Sequence, residues 1–298
     1  MQTSSSKLNL KIRYTKLIFI GRGKVMIFWK LQGTGNDFIV IDDRENIYAG
    51  KEGELAAKLC DRHFSIGADG ILIVRNSKIA QTQMVIINAD GSYASMCGNG
   101  IRCFAKYVWD QGITRGDNIS IETGDGVKTA EVFTENGSVR EVRINMGSAS
   151  FDPKAFFAKS DNEIIDVKLF ENGREYRITS MLMGVPHTVI FGKLDSFDVT
   201  EGKSIEKNTI FAKGTNVNFC EVIDRNTISV KTWERGAGPT LACGTGSCAC
   251  VVAANRLGLT DRRVKVIVPG GTLKIEIEGA NVFMKGPAEL SFKGEVVV

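Results

Sequence analysis

MCGNGIRCFAKYV (residues 96–108) and ACGTGSCACVVAA (residues 242–254) are the two stretches on which the fold of this chain turns. Each reads Cys-Gly-x-Gly followed by small and apolar residues without a breaker, which predicts a glycine-rich turn opening into a helix. Cys97 and Cys243 lie 146 positions apart. Two looser pairs keep the same order at nearly the same offset. Gly35-Asn36-Asp37-Phe38-Ile39-Val40 matches Gly184-Val185-Pro186-His187-Thr188-Val189 at 149, and Gly67-Ala68-Asp69-Gly70 matches Gly214-Thr215-Asn216-Val217 at 147. Recurrence at one offset indicates two similar halves.

Outward from the two turns, alternating or β-branched runs predict strands at 38–42, 71–75, 84–88, 119–123, 139–145, 188–191, 216–222, 228–233, 264–268, 273–277 and 282–285. Residues 52–62 read as an amphipathic helix with Leu55, Ala56, Leu59 and Cys60 on one face. Short strands, glycine turns and few helices point to an α+β fold with mainly antiparallel sheets. If a pseudo-twofold relates the halves, their Cys-Gly turns face each other across the interface, where ligand sites often lie.

The chain has 298 residues, with 38 Lys+Arg, 34 Asp+Glu, 43% hydrophobic residues and 32 Gly. These values suit a folded protein with a sizeable core and argue against disorder or a coiled coil. No apolar run approaches the roughly 20 residues of a membrane helix. Six bases and no acid fall in residues 1–25, leaving 32 bases against 34 acids over the other 273, so the globular part is no basic nucleic-acid binder. The leader reads as a disordered arm or a start-site artefact, a transit segment being the rival, and its apolar stretch at 17–20 is too short for a signal peptide. Seven cysteines, an odd number without a secretion signal, indicate a reducing compartment rather than a disulfide framework. No histidine stands near the spacings 97/103 and 243/248, which are wrong for zinc, so no metal site is expected.

A cysteine at the start of a helix sits among unpaired backbone N–H groups, which favour its thiolate and can cradle a carboxylate. Two such turns face to face could grip one carboxylate with a sulfur on either side of the adjacent carbon. Donors aimed at the carboxylate stabilise the charge that builds when the α-proton leaves. One cysteine, as thiolate, takes the proton, and the other returns one to the opposite face, inverting the centre. The other five cysteines read as small buried hydrophobes.

The segments NADGSYASMCGNGIRC (88–103) and ERGAGPTLACGTG (234–246) resemble the two signature segments of the diaminopimelate epimerase family, and GTGNDF (33–38) and MGVPH (183–187) resemble two further landmarks of it. The resemblance runs from about residue 27 to the C-terminus. In the related proline racemases the first cysteine motif has His where this chain has Asn99. The resemblance implies two similar pseudo-twofold-related domains, each wrapping mainly antiparallel strands around a central helix. The expected boundaries are 26–143, completed by a C-terminal strand at 288–298, and 144–287. It implies interconversion of LL- and meso-2,6-diaminopimelate, for lysine and cell-wall synthesis, without pyridoxal phosphate, metal or other cofactor. Cys97 and Cys243 would be the acid/base pair. Gly98, Asn99, Gly244 and Thr245 would hold the reacting carboxylate, helped by Asn36, while Asn88, Asn216, Glu234 and Arg235 would hold the distal end. His187 and Glu234 would tune the thiols. A cytoplasmic homodimer acting on a small amino acid, with no nucleic-acid or membrane partner, is the accompanying expectation.

From residue type alone, Asn36, Asn88 and Asn216 read equally well as turn formers, Glu234–Arg235 as a surface pair and His187 as structural. His63, Asp69 and Asp90 receive no catalytic role. Three departures from the family pattern stand out. Gly70 replaces a Gln of some members, and Pro239 an acid or other polar residue. Val185 replaces an Asn that helps bind the distal end, a loss of about 1.5–3 kcal/mol for one hydrogen bond to a charged group. Three rival readings remain: a racemase of another amino acid, a thiol hydrolase using Cys97 with His187, and a non-catalytic amino-acid-binding module.

Overall fold

The computed structural model describes residues 19–20 and 23–298. The first part of the chain forms β1 (Phe19–Ile20), β2 (Gly23–Gly33), β3 (Asn36–Asp42), α1 (Glu52–Leu59), β4 (Gly70–Arg75), β5 (Thr82–Asn88), β6 (Tyr93–Ala94), α2 (Gly98–Asp110), β7 (Asn118–Thr123), β8 (Gly126–Glu135) and β9 (Ser138–Asn145). The second part forms β10 (Val167–Glu171), β11 (Arg174–Met183), β12 (Val185–Phe191), α3 (Gly202–Glu206), β13 (Asn216–Asp224), β14 (Thr227–Glu234), β15 (Gly238–Thr240), α4 (Gly244–Arg256), β16 (Arg263–Val268), β17 (Gly271–Glu278), β18 (Asn281–Pro287) and β19 (Glu289–Val297).

Strand pairing shows the duplication directly. In one half the lateral order is β19-β2-β3-β4-β5-β7-β8-β9, and only β3–β4 and β5–β7 are parallel. In the other it is β10-β11-β12-β13-β14-β16-β17-β18, with β12–β13 and β14–β16 the parallel pairs. The two sequences of pairings are identical. The short β6 and β15 occupy matching places, each leading into a Cys-Gly turn. Antiparallel β9–β18 pairing joins the halves into one ribbon.

Each ribbon wraps a buried helix because its strands carry apolar residues on both faces. In β4, Leu72 and Val74 join the core around Ile101, Phe104 and Val108 of α2, while Ile71 and Ile73 turn to Leu55, Ala56 and Leu59 of α1. This period of two is what a strand buried on both sides requires. The second half repeats the plan, with Cys220 of β13 against α4 and Val217 and Phe219 in a cluster with Ile205 of α3.

The structure amends several sequence expectations. The segment set aside as 1–25 overlaps regular structure, since β1 pairs with β2 and Val25 pairs with Val297 of β19. The expectation for residues 1–18 and 21–22 lies outside the described residues. The helix expected over 52–62 stops at Leu59, because the Asp61 carboxylate accepts the His63 and Phe64 N–H groups (both 2.8 Å) and the Gly67 N–H turns back to the Leu59 carbonyl (3.0 Å). Strands β2, β8, β10 and β11 and the short β1, β6 and β15 went unread; in β8, Lys128, Thr129 and Glu131 interrupt an apolar pattern whose buried members are only Ala130 and Val132.

Candidate active site

Cys97 and Cys243 occupy the same structural position in their halves. Each has extended backbone (φ −143°, ψ 119° and φ −109°, ψ 112°) just before a helix. Each thiol caps its helix, accepting the N–H of the third residue on: Gly100 to Cys97 Sγ at 3.4 Å and Gly246 to Cys243 Sγ at 3.3 Å. The two helix starts abut. A Cβ placed on Gly244 would lie 3.7 Å from the Gly98 Cα, so the glycines that follow the cysteines let the backbones meet.

The wall beside Cys97 comes from the β2–β3 hairpin. Its two-residue turn, Thr34-Gly35, has φ +54° and +85°, the left-handed pair of a tight hairpin, and it delivers Asn36 to the site. Asn36 Oδ1 lies 3.7 Å from Cys97 Sγ and accepts the Asn99 amide at 3.3 Å. Asn99 also donates to the Ala242 carbonyl across the interface at 3.1 Å. Asn36 Nδ2 donates to Asp69 at 2.6 Å, so the carboxylate leaves the amide oxygen facing the thiol. Asp69 therefore belongs to the site's support, although its Asp-Gly setting reads as an ordinary turn.

Around Cys243 the groups are different. Thr245 Oγ1 stands 3.5 Å from the sulfur, and the Thr240 hydroxyl donates to Glu234 at 2.7 Å. Burial raises the Glu234 carboxyl, opposed by hydrogen bonds from Thr240 and the Cys243 thiol. Burial also raises the Cys243 thiol strongly, and the Glu234 charge raises it further. For Cys97, burial raises the thiol, while the N–H groups of Gly100 and Asn99 pull it down.

His187 is wholly buried and its ring is pushed down to about 3 by burial, with the Arg235 charge acting the same way. Asn218 Nδ2 donates to the Thr188 carbonyl at 3.2 Å and lies 3.2 Å from His187 Nδ1. A carbonyl can only accept, so Asn218 turns its NH2 toward His187 as well, making Nδ1 the acceptor and Nε2 the N–H. Among the described residues that Nε2 has no partner.

The remaining expected residues ring these turns. Asn216, paired with His187 across β12–β13, donates to the Pro186 carbonyl (2.9 Å) and accepts the Arg235 N–H (2.9 Å). The Arg235 guanidinium reaches the Lys213 carbonyl at 2.8 Å. Asn88 is exposed at the end of β5, opposite Gly70 in the ladder and bonded to Ser92. Val185 opens β12 with 38% of its surface exposed, next to Gly184, whose Cβ would meet the Thr245 methyl at 3.6 Å. Sequence reasoning missed Thr34, Asp69, Arg102, Asn218 and Thr240. Thr34, Asp69, Arg102 and Thr240 lie in stretches already singled out, and Asn218 lies within an expected strand.

A sequence profile of the family described as diaminopimelate epimerase matches residues 28–151 and 179–291. The chain belongs to the diaminopimelate epimerase family. It is 57% identical to a diaminopimelate epimerase of Clostridium perfringens over 269 residues, covering 90% of this chain and 98% of that protein. A diaminopimelate epimerase of Caldanaerobacter subterraneus is 46% identical over 277 residues, covering 92% of this chain and all (100%) of its own length. Among solved structures, a hydroxyproline epimerase from Agrobacterium vitis shares the fold with a TM-score of 0.69 at 13% identity, over 92% of this chain and 91% of that one. A phenazine biosynthesis protein of Bacillus anthracis does so at 0.66 and 14%, over 92% and 100%. At such low identities these two speak for the fold alone.

Proposed function

We propose that this family member is a cofactor-independent epimerase that interconverts LL- and meso-2,6-diaminopimelate through Cys97 and Cys243. The observation that carries the reading is the pair of equivalent cysteine-capped helix starts meeting at Gly98 and Gly244. The N–H groups of both turns receive the substrate carboxylate, with Asn36 beside it. The thiolate of one cysteine removes the α-proton: the C–H bond breaks, an S–H bond forms, and charge moves onto the carboxylate oxygens, where the helix N–H groups stabilise it. The opposite thiol gives its proton to the other face of the carbon, becoming the thiolate. Asn88, Asn216, Glu234 and Arg235 serve the distal end, Arg235 suiting a carboxylate and Glu234 an ammonium. His187 and Glu234 set the protonation of the thiols. The compartment and assembly that go with this reading are the cytoplasm and a homodimer, and the halves divide near residue 143.

A thiol hydrolase would need Cys97 and His187 bonded to each other, but Cys97 meets Asn36 and Gly100 while His187 meets Asn218. Exposed, apolar Val185 beside Thr245 keeps one alternative in play, a racemase of a different amino acid. One measurement separates the two: α-proton exchange in D2O, followed by NMR under reducing conditions without pyridoxal phosphate, for wild type, Cys97→Ala and Cys243→Ala. Deuterium incorporation into LL-diaminopimelate with formation of the meso isomer, lost by at least about a thousandfold in both variants, is the expected result. Exchange with another amino acid alone moves the substrate. An absence of exchange with any amino acid rejects the mechanism.

A further inference from the structure

Directly under the first turn of α2 lies a charge that the two-thiol chemistry does not use. Arg102 is fully buried (0% exposed). Its Nε donates to the Pro287 carbonyl at 3.1 Å, Nη1 to the Gly98 carbonyl at 3.0 Å and Asn99 Oδ1 at 3.1 Å, and Nη2 to the Thr34 hydroxyl at 3.2 Å. The Met284 sulfur completes the shell at 3.6 Å. Every one of these acceptors is neutral, and among the described residues no carboxylate comes within ion-pair distance of the guanidinium. A buried charge without a counterion carries a large desolvation cost, so proteins rarely keep one idle. Arginine cannot escape that cost by losing its proton at any ordinary pH.

The second half lacks this charge. The position matching Arg102, 146 residues on, is Cys248, also fully buried. Against Cys243 stands the Glu234 carboxylate instead. Two turns that look alike in sequence thus differ: a guanidinium lies beneath Cys97 with no counterpart beneath Cys243, while the Glu234 carboxylate bonds the Cys243 thiol and acts on both sulfurs. Gly98 and Asn99, which Arg102 holds, are the two residues that follow Cys97, so the guanidinium acts on the thiol through the turn as well as by its charge.

We propose, resting on the two-thiol reading, that Arg102 is a positioning residue whose fixed positive charge makes Cys97 the resting thiolate and leaves the resting proton on Cys243. The charged and titratable groups facing Cys97 are Arg102 from α2, Glu234 from β14 and Cys243 from the start of α4. Asp69 acts at one remove, turning the Asn36 oxygen to accept the Cys97 S–H, a contact that opposes the thiolate and that the Arg102 charge must outweigh. Burial and the Glu234 charge oppose ionisation of both thiols; at Cys97 the Gly100 and Asn99 N–H groups and the Arg102 charge favour it, and Arg102 gives no such help to Cys243. Cys103 and Cys248 are the other thiols near Arg102, and burial pushes both up to about 12, outside the range titrated below.

The test reads thiolate absorbance near 240 nm from pH 5 to 10, without substrate. Cys243→Ala reports Cys97, Cys97→Ala reports Cys243, and the double variant supplies the baseline. The expected result is that Cys97 ionises at lower pH than Cys243. Replacing Arg102 by Met or Gln raises the Cys97 midpoint by at least one pH unit, a tenfold loss of thiolate on the acid side, and Arg102→Lys recovers most of it. A merely structural Arg102 would lower the melting temperature without moving that midpoint. Cys243 ionising first overturns the proposal, as does an unshifted Cys97 midpoint in a folded neutral variant. Should neither neutral variant fold, the order of ionisation in the proteins that keep Arg102 decides. Because no substrate is present, failure of the epimerase reading appears separately, as missing α-proton exchange in the wild type.

Discussion

Asp69 touches neither thiol, yet it determines which end of Asn36 one of them meets. Its carboxylate holds the Asn36 NH2 and the Asp37 N–H, and is itself held by Arg62 at 2.7 Å. The same arginine and Lys30 clamp Asp37, whose carboxyl is held down to about 2 by their hydrogen bonds and charges although burial alone would raise it. Without Asp69 the Asn36 amide can turn over, which sets its NH2 against the Asn99 NH2 and removes the oxygen that accepts the Cys97 S–H. Asp69→Ala should therefore lower kcat/KM by about tenfold to a hundredfold, the worth of one hydrogen bond to a charged group. Its melting temperature should change little, because the Asp69 side chain is 42% exposed and its ion pair with Arg62 is a surface one. Steady-state kinetics beside a thermal melt checks this; unchanged kcat/KM would show that Asn36 is oriented by other contacts.

The two cysteine-capped helices begin alike but tolerate change differently. A Cβ on Gly246 would fall 2.3 Å from Asn218 Oδ1 and 3.2 Å from the Cys243 sulfur. Asn218 cannot retreat freely, since it also binds Thr188, His187 and the Thr232 hydroxyl, and it is fully buried. On Gly100 the same Cβ would meet side-chain carbons of Leu72, Cys97 and Phe38 at 3.3–3.4 Å, atoms that can yield by a few tenths of an ångström. Gly246→Ala is thus expected to destabilise by about 1–3 kcal/mol and to displace the Cys243 side, with Gly100→Ala clearly milder. Urea unfolding of both variants tests the order, and equal losses would mean that the Asn218 network shifts more easily than its bonds suggest. Both glycines were visible in the sequence as members of Cys-Gly-x-Gly. The difference between them was not, because it comes from residues 28 positions or more away in the chain, Asn218 in one case and Leu72 and Phe38 in the other.

At the scale of the molecule, the halves are interlocked rather than strung together. The chain leaves the first half at β9, builds the second, and returns as β19 to pair with β2 along nearly its whole length. Phe28 of β2 packs edge-on against Phe292 of β19 at 5.9 Å, and Gly294 leaves room for its ring. A second tie holds the site itself: Gly270 lies so close to the Thr34 carbonyl that any Cβ would be 1.9 Å from it, which seats the hairpin bearing Asn36 on the other half. A chain ending at Ala288 should therefore lose β2 from the ladder, and with it the hairpin and activity. Loss of cooperative unfolding in calorimetry, together with loss of α-proton exchange, is the expected outcome; a truncated protein with wild-type melting would show that β2 is held by β3 alone.

The repeat, most strands, both central helices and the cysteine pair were legible in the sequence because each depends on local pattern: β-branched runs, a breaker-free stretch, a cysteine before glycines at one recurring offset. Length and charge likewise separated residues 1–25 from the rest, although regular structure begins inside that segment. What depended on distant contacts was not legible. Asp69 beneath Asn36, Asn218 behind Gly246 and Arg102 under the Cys97 turn are matched with their partners only when strands of separate segments pair. The near-symmetry of the sequence also concealed its most consequential asymmetry. A buried guanidinium under one thiol and a carboxylate beside the other acquire their meaning from burial, because charges that water would screen at the surface act at full reach where water is excluded.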